Sequence, residues 1–423
     1  MFRTLKDAWK IEEIRRKIIF TFFMLLVYRL GNNIPIPFID ADALRSAYEG
    51  MEGTLVDYLN MLTGGGLSSL SLFALGVQPY ITASIVMQLM TVAIPRLEEL
   101  TKEGEQGRKQ IQKYTRYVTI FLAIFQAIAI TNGLFGSALS QATGFEKVVM
   151  NICLIAGSMF LTWMGETITD KGVGNGVSVI IFLGIVANVP HTLSTWKTGL
   201  HYDTVSVLSI IIMVVIVLLI VLAVVILTQG ERRIPIQYAK RVVGRKMYGG
   251  KSTHIPVKVN MSGVMPIIFA SAVLAIPSTI ALFVGGSKSN LVQGLLGDGA
   301  LGTAIYLIIQ SLLIIVFAYF YNQIQFNTVE YAKNLQQYGG FIPGIRPGRP
   351  TSEYLQRVSS RITFIGAIGL AILTAVPTIA SSILGLKLSF GGSSVIIVVG
   401  VILETLKQIE AMTTMKHYKG FLK

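Results

Sequence analysis

The feature that most constrains this chain is the stretch 205–228, an almost unbroken run of Val, Ile and Leu. A helix needs about 20 apolar residues to cross a hydrocarbon core. Backbone groups there find no water, so such a run crosses as a helix with its hydrogen bonds paired internally. Further runs follow at 18–34, 75–94, 116–135, 148–166, 176–190, 260–284, 303–325, 362–384 and 391–410. Of these, 176–190 is short and carries Asn188. Charge is scarce in proportion: 14% of the 423 residues are charged, against about a quarter in a soluble domain. The expected fold is an all-α polytopic membrane protein with ten transmembrane helices.

The placement of basic residues orients these helices. Ten crossings leave both termini on one side. With that side cytosolic, the segments 1–17, 95–116, 167–175, 229–258 and 327–361 and the C-terminal end hold 30 of the 36 Lys and Arg. The others are Arg29, Arg45, Lys147, Lys197, Lys288 and Lys387. Such a bias marks cytosolic loops of a cytoplasmic membrane, and the net charge of +14 suits loops lying beside anionic lipid. Trp9, Trp163 and Trp196 fall near span ends, where indole prefers the interface. The charged N-terminal segment runs into a full-length apolar stretch without a small-residue cleavage site, so it reads as a cytosolic lead. Five crossings in each half, 1–195 and 196–423, give the halves opposite orientation. That topology permits an inverted, pseudo-symmetric repeat.

Catalytic chemistry finds little footing. Cys153 is the single cysteine, and His191, His201, His254 and His417 all lie outside the span centres. There is no HExxH and no GxxxxGK[ST], so neither a zinc protease nor a nucleotide loop of that kind is expected. Gly172-Val173-Gly174-Asn175-Gly176 lacks the lysine and reads as a tight turn into a helix. No enzyme activity, metal or cofactor is expected. Arg29, Glu166, Glu404 and Lys407 sit near span ends, not at the midplane, which argues against a proton-coupled pump. Two classes remain: a passive channel, and a secondary transporter of a small solute with a five-plus-five inverted repeat, whose ion sites would be carbonyls and hydroxyls.

Three segments stand apart. Residues 63–74 include Gly64, Gly65, Gly66, Leu67, Ser68, Ser69, Leu70, Ser71 and Leu72. The apolar part is too short to cross. Glycines make a hinge, and Gly76 with Pro79 separates it from the next span. It reads either as a short re-entrant half-helix or as an ordinary loop on the outer side. The loop 229–258 carries Arg232, Arg233, Lys240, Arg241, Arg245, Lys246, Lys251 and Lys258 against Glu231. The loop 327–361 contains Pro343-Gly344-Ile345-Arg346-Pro347-Gly348-Arg349-Pro350, where turn residues present Arg346 on a stiff projection. These charges either only orient the chain or also dock RNA or an acidic partner.

The chain resembles the SecY family, the pore subunit of the bacterial protein-conducting channel, over nearly its whole length. Carrying the resemblance are Tyr28-Arg29-Leu30-Gly31 with Ile34-Pro35-Ile36-Pro37; Phe73-Ala74-Leu75-Gly76 with Pro79-Tyr80-Ile81-Thr82-Ala83-Ser84-Ile85; and Gly104-Glu105 through Tyr114-Thr115-Arg116-Tyr117. To these are added Gly174-Asn175-Gly176, Gln237-Tyr238-Ala239-Lys240, the run from Ser252 to Asn260, Pro343 to Gly348, and Phe390-Gly391-Gly392. The resemblance implies two halves clamped round an hourglass pore. By motif position the apolar pore ring maps to Ile81, Ile85, Ile181, Ile268 and Ile397, with Ile185 one turn beyond Ile181. It makes Gly64 to Leu72 a short re-entrant plug helix and implies a lateral gate at the second, third, seventh and eighth spans. Implied partners are the small membrane subunits SecE and SecG, the SecA motor or a translating ribosome on the cytosolic loops, and an unfolded preprotein with its signal sequence.

Overall fold

The computed structural model describes residues 2–39, 44, 60–61, 63–136, 139, 142–202, 206–238, 241–243, 246–248, 252–285, 300–384 and 392–420. Within them, each of the ten apolar runs forms a helix. A short amphipathic helix, α1 (Phe2–Lys10), precedes α2 (Glu12–Gly31). Then come α3 (Gln78–Ala93), α4 (Pro95–Lys102), α5 (Glu105–Ala129, prolonged by one π turn, Ile130–Leu134), α6 (Gly144–Lys171) and α7 (Gly176–Ala187), which continues through Asn188 into α8 (Val189–His201). The second half holds α9 (Val207–Gln229), α10 (Met265–Gly285), α11 (Ala300–Gln325), α12 (Thr328–Gln337), α13 (Arg349–Leu384) and α14 (Gly392–Gly420).

Local chemistry sets the boundaries. Thr143 and Glu146 form a reciprocal capping box that starts α6, satisfying two otherwise free N–H groups. Asn175 accepts from the Ser178 N–H at the start of α7, and Ser206 accepts from that of Leu208 at the start of α9. Pro79 sits at the start of α3, where its missing N–H costs nothing. Pro95 does the same for α4, and the chain bends by 100° between the two. Most of the expected loop 95–116 is thus helical.

The turn between α6 and α7 ties three elements together. Gly174 takes a left-handed φ of +88°. Thr21 Oγ1 on α2 accepts from the Val173 N–H at 3.0 Å, and Gln408 Oε1 on α14 accepts from the Gly174 N–H at 2.6 Å. The turn is therefore a structural knot. Arg116 on α5 clasps Glu166 on α6 with two prongs, one of them 3.1 Å long. By contrast α9, the most apolar helix, leaves Leu208, Ile211, Leu218, Leu219 and Leu222 exposed, as a lipid-facing helix should.

The loops 229–258 and 327–361 meet in one small sheet. Strand β1 (Glu231–Tyr238) pairs antiparallel with β4 (Ser252–Lys258), from Glu231 opposite Lys258 to Gln237 opposite Ser252, and with β5 (Gly340–Phe341) on its other edge. Between them β2 (Arg241–Val243) and β3 (Lys246–Tyr248) make a second hairpin. Ile234, Val257 and Ile342 from the sheet bury against Phe326, Leu355, Val358 and Ile362.

Candidate functional site

The five isoleucines expected to line a ring are all buried in one extended apolar cluster, which also takes in residues such as Ile220 of α9 and Leu370 of α13. Ile81 and Ile85 lie on α3, Ile181 on α7, Ile268 on α10 and Ile397 on α14, and all belong to one buried apolar cluster. Each is at most 7% exposed. Ile81 and Ile85 share a helix face because they are four apart. Ile185, also buried, belongs to the same cluster. Four helices drawn from both halves of the chain therefore contribute branched apolar side chains to this cluster.

Residues 63–77 form a succession of turns where a half-helix was expected. The physical reason is backbone handedness. Gly64, Gly65 and Gly76 have φ of +67°, +87° and +57°, and Leu70 has φ +39°. These left-handed residues interrupt any right-handed helix. The segment joins two cores. Met61, Phe73 and Val77 belong to the cluster of the five isoleucines, whereas Leu67, Leu70, Ala74 and Leu75 pack with Leu134, Phe135, Met150 and Leu154.

Beside this segment lies an apolar cavity of about 390 Å³. Leu67 and Leu75 bound it on one side, Ile81 and Val86 of α3 and Phe125 of α5 on a second, and Ala275 with Ile276 of α10 on a third. With Ile181 of α7 also in the lining, three helices of the first half and one of the second wall a space of ligand-pocket size.

The basic residues stand on the sheet end. Arg232 and Arg233 are exposed on β1, where Ile234 and Ile236 point inward; Arg233 Nε donates to Glu231 Oε1 at 2.8 Å. Arg346 is exposed in a turn set by Gly344 and Gly348, at φ +82° and +100°. The Thr351 hydroxyl donates to the Arg346 carbonyl at 2.8 Å and steadies the turn. Arg349 is exposed and donates to Glu353 at 2.9 Å. Arg241 and Lys246 fall on β2 and β3, while Lys240 and Arg245 lie outside the described residues. Pairing of β1 with β5 places Arg232, Arg233 and Arg346 on one structural unit, which the two loops read separately did not reveal. Alternation in Ile234-Pro235-Ile236 and Ile255-Pro256-Val257 was the available signal for strands.

Residues 71–406 match the family model described as SecY. The protein translocase subunit SecY of Streptomyces galbus is 43% identical, over 100% of this chain and 100% of its own length. Among solved structures, a SecY whose plug domain is described as stabilising the closed state of the translocation channel superimposes with a TM-score of 0.67 at 19% identity, covering 93% of this chain and 91% of that chain. Sec61 from a canine ribosome–channel complex of the endoplasmic reticulum gives a TM-score of 0.61 at 16% identity, again over 93% and 91%. At those identities the two structures speak for the fold.

Proposed function

The chain belongs to the SecY family and is a multi-pass, protein-conducting channel subunit of a protein translocase; from that premise we propose how its residues divide the work. Ile81, Ile85, Ile181, Ile268 and Ile397 form the constriction. The observation that carries this reading is that all five, on α3, α7, α10 and α14, are buried in the same apolar cluster. A narrow apolar collar disfavours water and so blocks ions by dewetting. It also holds no side chain by hydrogen bond or charge, so a chain of any sequence can pass. Residues 63–74 are the plug that covers the collar in the closed state.

The halves 1–195 and 196–423 part to admit a client. An apolar signal sequence enters the cavity between α3, α5 and α10 and leaves sideways into lipid. The chain itself catalyses no step and uses no cofactor; work comes from a partner bound at the sheet end. The exposed Arg232, Arg233 and Arg346, and the basic residues of β2 and β3, suit an acidic protein face or the phosphates of ribosomal RNA. Those partners are SecA and the translating ribosome, with SecE and SecG as membrane subunits. The membrane is the bacterial cytoplasmic membrane, with both termini and the sheet in the cytosol, as the basic loops require.

The test is a cross-link. With Cys153 replaced, Ile81→Cys or Ile397→Cys is combined with a secretory chain stalled in export and carrying one cysteine. A disulfide between channel and client is expected at both positions. No disulfide at either would remove the ring assignment.

A further inference from the structure

The plug is built of turns that pair the carbonyls of Gly65, Gly66, Leu67, Ser71 and Phe73 within the segment, whereas the Gly64 carbonyl accepts from Asn32 and Arg29 instead. Its closed geometry also carries strain at Leu70, a non-glycine residue at φ +39°. Something outside the segment must hold it, and the last turn of α2 reaches into it. Tyr28 donates its hydroxyl to the Thr63 carbonyl at 3.0 Å. Asn32 Nδ2 donates to the Gly64 carbonyl at 2.8 Å, and Arg29 Nη1 approaches the same oxygen at 3.3 Å. Asn32 Oδ1 in turn accepts from the Ser71 hydroxyl at 3.3 Å. One buried carboxamide therefore grips the segment at two points, Gly64 and Ser71.

Packing agrees with this grip. A Cβ on Gly66 would strike the Asn32 amide and the Ser71 hydroxyl, and one on Gly31 would strike the Phe73 ring. Tyr28 lies parallel to Phe73 with ring centroids 6.0 Å apart. Just beyond α2, the Leu72 N–H donates to the Ile34 carbonyl at 2.9 Å and the Ile36 N–H to that of Leu70 at 3.2 Å.

We propose that the C-terminal turn of α2, with Asn32 at its centre and Tyr28 and Arg29 beside it, is the latch that holds the plug closed. This rests on the reading of 63–74 as a plug. The argument is differential. In the closed state the Thr63 and Gly64 carbonyls have α2 as their partner; once the plug is displaced they face water. Removing an α2 donor therefore penalises the closed state alone and shifts the population toward open. Losing a buried hydrogen bond shifts such a ratio by about tenfold. Asn32 and Tyr28 are thus positioning residues.

The experiment uses the full-length chain with its co-purifying membrane subunits, reconstituted into vesicles. Resting ion conductance is one readout. The other is labelling, by a membrane-impermeant reagent, of the thiol introduced by Leu67→Cys in a Cys153→Ala background. Tyr28→Phe removes one hydroxyl and keeps the stack on Phe73; Asn32→Leu removes the carboxamide at nearly constant size. Each is expected to raise both readouts, Asn32→Leu by about tenfold. Deletion of 67–72 is the reference and should raise conductance on its own. If the deletion does so while both substitutions leave both readouts within about twofold of the parent, the latch is overturned and the plug stands. An unchanged conductance on deletion overturns the plug reading and the latch with it.

Discussion

Asn322 on α11 and Ser359 on α13 exchange hydrogen bonds in both directions, at 2.9 and 3.0 Å. Both side chains are buried, so each is the other's replacement for water. Such bonds between membrane helices are worth about 0.6–1.7 kcal/mol. Asn322→Ala should lower thermal stability in detergent by about 1 kcal/mol, and adding Ser359→Ala should cost little more, because the partner is already lost. Fully additive losses in that double-mutant cycle would show that the pair does not act as a unit. At Ile397 the logic reverses. Its neighbours are apolar, so Ile397→Asn puts an amide where nothing can bond it. Water must follow the amide into the collar, and resting conductance of reconstituted vesicles should rise several-fold. Conductance equal to the parent's would place Ile397 away from the constriction.

At the scale of elements, the sheet explains how Arg346 can matter at a distance from the membrane helices. The turn that carries it is fastened by Thr351 and by Ile342, which lies in the core beneath β1 and β4. Arg346→Glu reverses an exposed charge without touching that core. Motor-driven export into inverted membrane vesicles should fall about tenfold, while insertion of the variant and its assembly with small subunits stay normal; undiminished export would reduce Arg346 to a charge that only orients the chain. The ten helices were legible because hydropathy over a span-length window needs no tertiary information. Spacing alone singles out no ring isoleucine, since an isoleucine facing lipid and one facing a pore look alike; the five proposed for the ring rest on the family motif. The turns of the plug were half legible, in the glycines at 64–66, but Leu70 in a left-handed conformation follows from no sequence rule. The sheet was not legible because strands of two or three residues, such as β5, β2 and β3, are too short to show alternation. Asn32, Tyr28 and Ser158 were not legible because their partners are backbone carbonyls 32 to 82 residues away: Ser158 donates to the Gly76 carbonyl, and Tyr28 and Asn32 to Thr63 and Gly64.

At the scale of the whole molecule, a channel that both exports and inserts must open in two directions: through the collar, and sideways between its halves. The two proposed openings adjoin one another. The proposed collar draws on α3, α7, α10 and α14, and the apolar cavity is lined by α3, α5, α7, α10 and the proposed plug, with Ile81 and Ile181 common to both. They share α3, α7 and α10, so parting α3 and α10 must widen both at once. Ile276 lies at the cavity on the α10 side and is 38% exposed, so a larger side chain there finds room without disturbing the packed core. Ile276→Trp should occupy the space an apolar signal helix needs. The expected outcome is a loss of about tenfold in both export and membrane insertion of signal-bearing clients, with resting conductance unchanged because collar and plug are intact. Affinity for the motor at the sheet end should also be unchanged, which separates a filled gate from a misfolded channel. Export that fails while insertion of membrane segments continues at the parental rate would mean that inserted helices do not pass through this cavity, and the shared-hinge account of α3 and α10 would have to be abandoned.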